Sequence, residues 1–203
     1  TEAQRQSYLP DLAAGGTTPC LAISEPGAGA HPKHLTTEAR RDGNYYVLNG
    51  EKAYLTNGPM ADIFLVLAIT GHTGNRKQFS VLIVPRDAAG LELTDGVKID
   101  YLHPSPHCGI KLHDVRVPVA NLLGPEGEAF DAISLPMRRT EDAVFAASKA
   151  GAIRHILNGI CTEAPSLAQD EDNVAELGKL AAASTGLGAL AFHGAELLDI
   201  DPD

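Results

Sequence analysis

The 203 residues carry 26 acidic against 16 basic side chains, a formal charge of −10, and 44% of them are hydrophobic. That apolar content is enough to bury a core in one domain or two small ones. The acidic balance argues against a nucleic-acid partner, which needs a basic face for phosphate, but one Arg or Lys or a few backbone N–H groups can still hold a small phosphorylated ligand.

No run of about 18 apolar residues is present, so no membrane span is expected. The N-terminal residues lack the charged-then-apolar pattern of a secretory signal. Cys20, Cys108 and Cys161 lie far apart, without CxxC or Cys/His ligand spacing, and read as free thiols in a reducing cytoplasm. His103 and His107 are four apart, but Pro104 and Pro106 break any helix between them. They read as loop histidines, and no metal is expected.

In chain order, residues 1–12 read as the tail of a helix followed by a loop, as though the chain began mid-architecture. From Cys20 to Val117, short runs of Val, Ile, Leu, Tyr and Phe are punctuated by Gly, Pro, Asn and Asp, the pattern of strands. Residues 21–24 are the first candidate. Residues 45–48 and 52–56 flank Asn49-Gly50, a pair that tolerates positive φ and predicts a tight hairpin there. Residues 62–70 are almost continuously apolar and 79–84 nearly so, which suits strands covered on both faces. Residues 90–94 and 109–117 complete a set of five to eight strands.

After Pro118 the character changes. Residues 130–160 repeat Ala, Leu, Ile, Lys, Arg and Glu at helical spacing, residues 162–172 read as a polar loop, and residues 173–198 predict a second helix. Gly178, Gly186, Gly188 and Gly194 each cost that helix about 1 kcal/mol relative to Ala, so close packing against another helix is the expected reason for them. A lone helical hairpin leaves an apolar stripe, which predicts a homo-oligomer or a partner subunit. The fold class is therefore α+β: a small antiparallel β-barrel or sandwich followed by an α-helical hairpin, part of a helical bundle.

Three segments carry the chemistry. In Ala22-Ile23-Ser24-Glu25-Pro26-Gly27-Ala28-Gly29-Ala30, Pro26 and the small residues behind a strand let backbone N–H groups come close to a ligand. The second is Gly50-Glu51-Lys52-Ala53-Tyr54-Leu55-Thr56-Asn57-Gly58, and the third runs from Pro118 to Gly127. Together they resemble the signatures of the acyl-CoA dehydrogenase family, T/S-E-P-x-A-G-S-D, G-x-K-x-W/Y-I/L-T-N and V-P-x-x-N-L-L-G-x-x-G, in the same order over residues 10–159.

The resemblance implies a remnant of an N-terminal helical domain at 1–18, a flavin- and acyl-CoA-binding β-domain at 19–127 and part of a C-terminal helical domain at 128–203. It implies FAD as cofactor, an acyl-CoA thioester as substrate and an electron acceptor protein as partner. Ile23, Ser24, Gly29, Tyr54 and Thr56 are the implied flavin contacts. Tyr54 stands where many members have Trp and can still stack on a flat ring. Ala30-His31 stands where the family has Ser-Asp, so Ala30 occupies a substrate-facing position without the hydroxyl. Lys33 and His34 read as solvated loop residues, with a CoA phosphate as the other reading.

The implied reaction removes a proton from the thioester α-carbon while hydride leaves the β-carbon for the flavin, and it needs a carboxylate base. Some members carry that Glu on the first C-terminal helix, ahead of small residues and a Gly. Glu141, followed by Ala146-Ala147 and Gly151, matches it, whereas counting from Gly124 places Thr140 there; helix periodicity favours Glu141. Asp142 replaces the usual Arg. The alternative is a surface carboxylate paired with Arg138 or Arg139. The expected function is an acyl-CoA dehydrogenase or a fragment of one. The alternative is a non-catalytic relative acting as partner or scaffold subunit, and a related flavin enzyme acting on nitro or hydroxylation substrates is a third reading. Without counterparts of the family's remaining helices and its R-x-x-F-G loop, the chain alone is expected to bind flavin weakly.

Overall fold

The computed structural model describes residues 1–96 and 105–200, so His103 and Pro104 lie outside the described residues. The chain forms two compact units, Thr1–Ile133 and Ser134–Asp203.

The first unit opens with helix α1 (Glu2–Ala14), more than the helix tail expected there. Thr1 and Gln4 cap it reciprocally, and Gly15 at φ 73° ends it in the left-handed conformation. Gln4 Nε2 donates to the carbonyls of Ala120 and Leu122, both at 2.8 Å. The strands are β1 (Pro19–Ala22), β2 (Glu38–Asp42), β3 (Tyr45–Thr56), β4 (Ile63–Thr73), β5 (Arg76–Pro85), β6 (Leu91–Thr94), β7 (His107–Pro118) and β8 (Leu122–Leu123). They form one sheet in the order β6-β7-β3-β2-β4-β5-β8, with β1 also paired to β4. The class is α+β as expected, and most pairings are antiparallel. However, β1 and β2 both run parallel to β4, so the sheet is mixed and it is not closed.

The predicted turn at Asn49-Gly50 is not a turn. Leu48 pairs with Val115 and Gly50 with Leu112, so β3 runs straight through with a bulge between them. A Cβ on Gly50, at φ 148°, would lie 2.5 Å from Thr37 Oγ1, so this glycine permits a close backbone approach. The real hairpin joins β2 to β3 through Gly43 at φ 60°. Strand β2 escaped notice because Glu-Ala-Arg-Arg-Asp has no apolar run and buries only Ala39.

Strand β4 explains its own continuous hydrophobicity. Phe64, Val66 and Ala68 enter one core cluster with Tyr46, Leu48, Leu82, Ile110 and Val117, while Leu67 and Ile69 enter another with Leu35, Phe79 and Val81. Both faces are covered, and the two-residue period divides the side chains between them. A Cβ on Gly58 would collide with the Cys108 sulfur and lie 3.1 Å from Leu55 Cβ. Gly58→Ala is therefore expected to destabilise this unit by about 1–3 kcal/mol through overpacking. Urea unfolding followed by tyrosine fluorescence checks this, and a parental midpoint would contradict it.

The second unit is a helical hairpin of α2 (Leu135–Glu163) and α3 (Glu171–Ile200), so the expected loop shrinks to a short connection containing a 3-10 turn at Leu167–Gln169. The helices meet at small residues: Ala150, Ser184 and Ala191 are buried, and Ser184 Oγ donates to the Ala150 carbonyl at 3.2 Å. Packing against α2 does not account for the α3 glycines. A Cβ on Gly178, Gly186 or Gly194 would find no atom within 4 Å. Phe145, Leu190 and Phe192 remain exposed on this unit.

Candidate functional site

The loop after β1 is built around one buried ion pair. Glu25 is 3% exposed and Lys52 is fully buried, with Lys52 Nζ 2.9 Å from Glu25 Oε1 and 2.9 Å from the Ile23 carbonyl. The other partners of Glu25 lie beyond the loop: Thr36 N and Thr36 Oγ1 donate to Oε2 at 2.7 and 2.8 Å, and Thr37 N donates to Oε1 at 2.9 Å. Burial pushes the Glu25 carboxyl up, but hydrogen bonds from Thr37 and the Lys52 ammonium outweigh it and hold the group at about 2. Burial pulls Lys52 below the usual lysine range, and Glu25 opposes this only in part. The asymmetry follows from the partners, since the carboxylate has four donors whereas the ammonium has two acceptors.

Within the loop, Glu25 and Gly29 exchange backbone hydrogen bonds at 2.9 and 3.0 Å, and Ala28 N donates to the Glu25 carbonyl at 3.2 Å. Those N–H groups serve the turn itself, which narrows the expectation that the loop's amides face a ligand. Among the described residues, the N–H groups of Gly27 and Ala30 find no protein acceptor. Gly29, at φ 58°, has open space where a Cβ would stand, and Ala30 is exposed. The Ser24 carbonyl accepts from Ala53 N at 2.9 Å, which joins this loop to β3 just ahead of Tyr54. Ile23 is half-buried against the second core cluster.

Tyr54 sits in a second bulge of β3, between Lys52 and Leu55, at φ 60°. A bulky residue in the left-handed region is an outlier costing about 1–2 kcal/mol. The bulge leaves Tyr54 41% exposed, and Thr56, two residues on, is exposed as well. Thr56 Oγ1 lies 3.0 Å from His107 Nε2, and His107 Nδ1 lies 2.9 Å from the Ser105 carbonyl. His107 thus begins β7 and does not stand in a loop. Cys20 Sγ donates to the Thr56 carbonyl at 3.2 Å. Burial, with Cys108 nearby, pushes that thiol up to about 12 and keeps it a donor.

The same unit contains an open cleft of about 840 Å³ lined by Lys33, Arg76, Lys77, Phe79, Phe130 and Asp131, among others. Its wall combines cations with aromatic faces. Lys77 Nζ donates to the carbonyls of Lys33 and Leu35, at 3.0 and 2.6 Å, and so pins the segment that follows the glycine loop. Lys33 is thereby a lining residue as well as a loop residue.

Glu141 lies in the helical unit, exposed, in a shallow groove with Met137, Thr140, Val144 and Phe145. The surface pairing expected for it goes to its neighbour: Arg138 Nε is 3.8 Å from Asp142 Oδ2. In the sequence, Glu25 and Lys52 stand in the quoted motifs without a role, and His107 reads as a loop histidine. The available signal was a lone acid and a lone base, each inside an apolar strand or turn pattern.

The first unit thus presents a glycine loop, an exposed aromatic–hydroxyl pair and an open cleft with cationic and aromatic walls. Residues 20–115 match the family model described as acyl-CoA dehydrogenase, middle domain. The chain is 37% identical over 132 residues to a mitochondrial isobutyryl-CoA dehydrogenase of Dictyostelium discoideum, covering 64% of this chain and 31% of that protein. It is 40% identical over 131 residues to a probable acyl-CoA dehydrogenase of Bacillus subtilis, covering 64% of this chain and 34% of that protein. Among solved structures it superposes on an acyl-CoA dehydrogenase from Geobacillus kaustophilus with a TM-score of 0.79 at 27% identity, covering 97% of this chain and 55% of that one. A glutaryl-CoA dehydrogenase from Mycobacterium smegmatis in complex with FADH2 gives 0.78 at 27% identity, covering 98% and 52%.

The chain carries an acyl-CoA dehydrogenase middle domain over residues 20–115. It spans about a third of the length of these curated relatives and about half of these solved chains.

Proposed function

We propose that the chain is part of a flavin-dependent acyl-CoA dehydrogenase that oxidises an acyl-CoA thioester between its α- and β-carbons and passes electrons to an acceptor protein. The observation that carries this reading is the exposed Tyr54–Thr56 pair beside the glycine loop, on a frame locked by Glu25 and Lys52. Residues 19–127 are the flavin- and thioester-binding domain, and 128–203 belong to the helical domain. The three free thiols fit a reducing cytoplasm, and among the described residues no helix is long and apolar enough to cross a membrane.

The residues suit FAD. Tyr54 offers a flat aromatic face, Thr56 a hydroxyl, Gly29 open space where a side chain would stand, and Gly27 and Ala30 N–H donors. Ile23 and Ser24 form the backbone edge of the same site. When bound, FAD supplies the acceptor for the hydride that leaves the β-carbon. The chain's own part is to hold the ring and the thioester on the first unit, with Ala30 as a substrate-facing position, and to supply Glu141 from the helical unit as the base for the α-proton.

A second reading, a non-catalytic partner or scaffold subunit, draws on the exposed setting of Glu141 and on Ala30, which lacks the hydroxyl of the signature it resembles. The test is an absorption spectrum with added FAD, followed by anaerobic addition of short, medium and long acyl-CoA thioesters. Bleaching of the flavin band supports the dehydrogenase. Bound flavin that never bleaches supports the second reading, and no flavin uptake refutes a self-sufficient cofactor site.

Tyr54 supplies a sharper check. Tyr54→Asn places a residue that tolerates positive φ at this strained position, so the flavin-free protein is expected to be at least as stable as the parent. The same variant loses a stacking face worth about 0.5–1.5 kcal/mol, so FAD should bind roughly three- to tenfold more weakly. Flavin titration beside urea unfolding reads both effects, and unchanged affinity would remove Tyr54 from the site.

A further inference from the structure

We infer that His107 is a positioning residue: it holds the Thr56 hydroxyl with its proton turned inward, so that the oxygen meets a bound ligand as a hydrogen-bond acceptor. The Ser105 backbone carbonyl can only accept, and it lies 2.9 Å from His107 Nδ1. The proton of the neutral imidazole is therefore on Nδ1, which leaves Nε2 as an acceptor. The group 3.0 Å from Nε2 is Thr56 Oγ1, so the hydroxyl must be the donor. A hydroxyl has one proton. Once that proton is given to His107, only lone pairs remain for anything on the exposed side of Thr56.

The surrounding bonds keep this arrangement in place. Asn57 N donates to the Pro106 carbonyl at 2.9 Å, and Cys20 Sγ donates to the Thr56 carbonyl at 3.2 Å. The ladder pairs Thr56 with His107 and Leu55 with Cys108. The Thr56 main chain is thus held from β1 and from the segment that enters β7, and the side chain is aimed by His107. The site then favours a ligand edge that presents N–H or O–H to Thr56. Resting on the flavin reading above, this means a preference for reduced over oxidised FAD, because reduction adds protons to ring nitrogens that otherwise accept.

Two measurements on the full chain test this. In NMR of nitrogen-labelled histidine, without flavin and at about pH 8, above the ordinary imidazole range, the His107 proton is expected on Nδ1. The Nε2 signal should move in Thr56→Val, which removes the donor and keeps the shape. A proton on Nε2, or an Nε2 signal indifferent to Thr56→Val, overturns the inference. In anaerobic titration, His107→Leu frees the hydroxyl to donate or accept, so the preference for reduced over oxidised FAD should fall by about three- to tenfold, the net worth of one hydrogen bond. The same replacement in a Thr56→Val background should change nothing, and an unchanged preference in His107→Leu alone overturns the proposed polarity. If the parent takes up no FAD in either state, the cofactor reading fails while the NMR result still decides whether His107 aims Thr56. If His107→Leu does not fold, the Thr56→Val signal decides it.

Discussion

Glu25→Ala is expected to destabilise the first unit by about 3–5 kcal/mol, because it leaves the Lys52 ammonium buried without its counter-charge. Lys52→Met should cost less. The carboxylate it strands keeps its donors from Thr36 and Thr37, whereas the ammonium stranded by Glu25→Ala keeps only the Ile23 carbonyl. The double replacement Glu25→Leu with Lys52→Met removes both charges and should recover part of the loss. A double variant as unstable as Glu25→Ala would show that the loop's hydrogen bonds, and not the stranded charge, set the cost. Tyrosine fluorescence isolates this unit: the chain has no Trp, and its five Tyr residues all precede Ser134.

Acid extends the same prediction. The Glu25 carboxyl is lowered from 4.5 to about 2 on folding, so its contribution to stability is complete above about 4.5. It declines as pH falls toward about 2 and is absent below that value. Glu25→Gln should therefore show a shallower loss of stability across this interval than the parent. Parallel curves would mean that other carboxylates carry the acid response.

Glu141→Gln is expected to lower the rate of flavin bleaching by an acyl-CoA thioester about 10²- to 10⁴-fold, the usual worth of a positioned general base. The amide keeps the size of the side chain and loses its basicity. Thr140→Ala, the residue offered by the other register, and Asp142→Ala should leave the rate near that of the parent. Glu141 lies beside Met137, Val144 and Phe145 in its groove. A Glu141→Gln rate within a few-fold of the parent would sink the assignment, and a parent that never bleaches bound flavin would favour the non-catalytic reading.

The strands of the first unit were legible where burial on both faces left continuous apolar runs, as in β4 and β5. They were illegible where the ladder overrides composition, as in β2. Asn49-Gly50 misled because positive φ serves a bulge as well as a turn, and only pairing with β7 separates the two. The exposed positions Tyr54 and Thr56 lie in a motif that could be read directly, but the groups bonded around that motif could not. Glu25 meets Lys52 from 27 residues away and Thr56 meets His107 from 51, and single-sequence patterns carry no trace of such meetings. The local cost of the α3 glycines in helix propensity implied a packing partner, and within this unit α2 is not that partner.

The parallel pairing of β1 and β2 with β4 bears on how this family can diversify. Ala22 is registered on Val66 and Glu38 on Ile69, so the excursion between β1 and β2 leaves and rejoins the same strand within three residues of β4, about 10 Å. Glu25 then staples the base of that excursion to Thr36 and Thr37. Between the staples, Lys77 of β5 holds the Lys33 carbonyl, so the part that precedes Lys33 is the part left free of the ladder. Residues 27–31 can change in length and chemistry while every strand keeps its register.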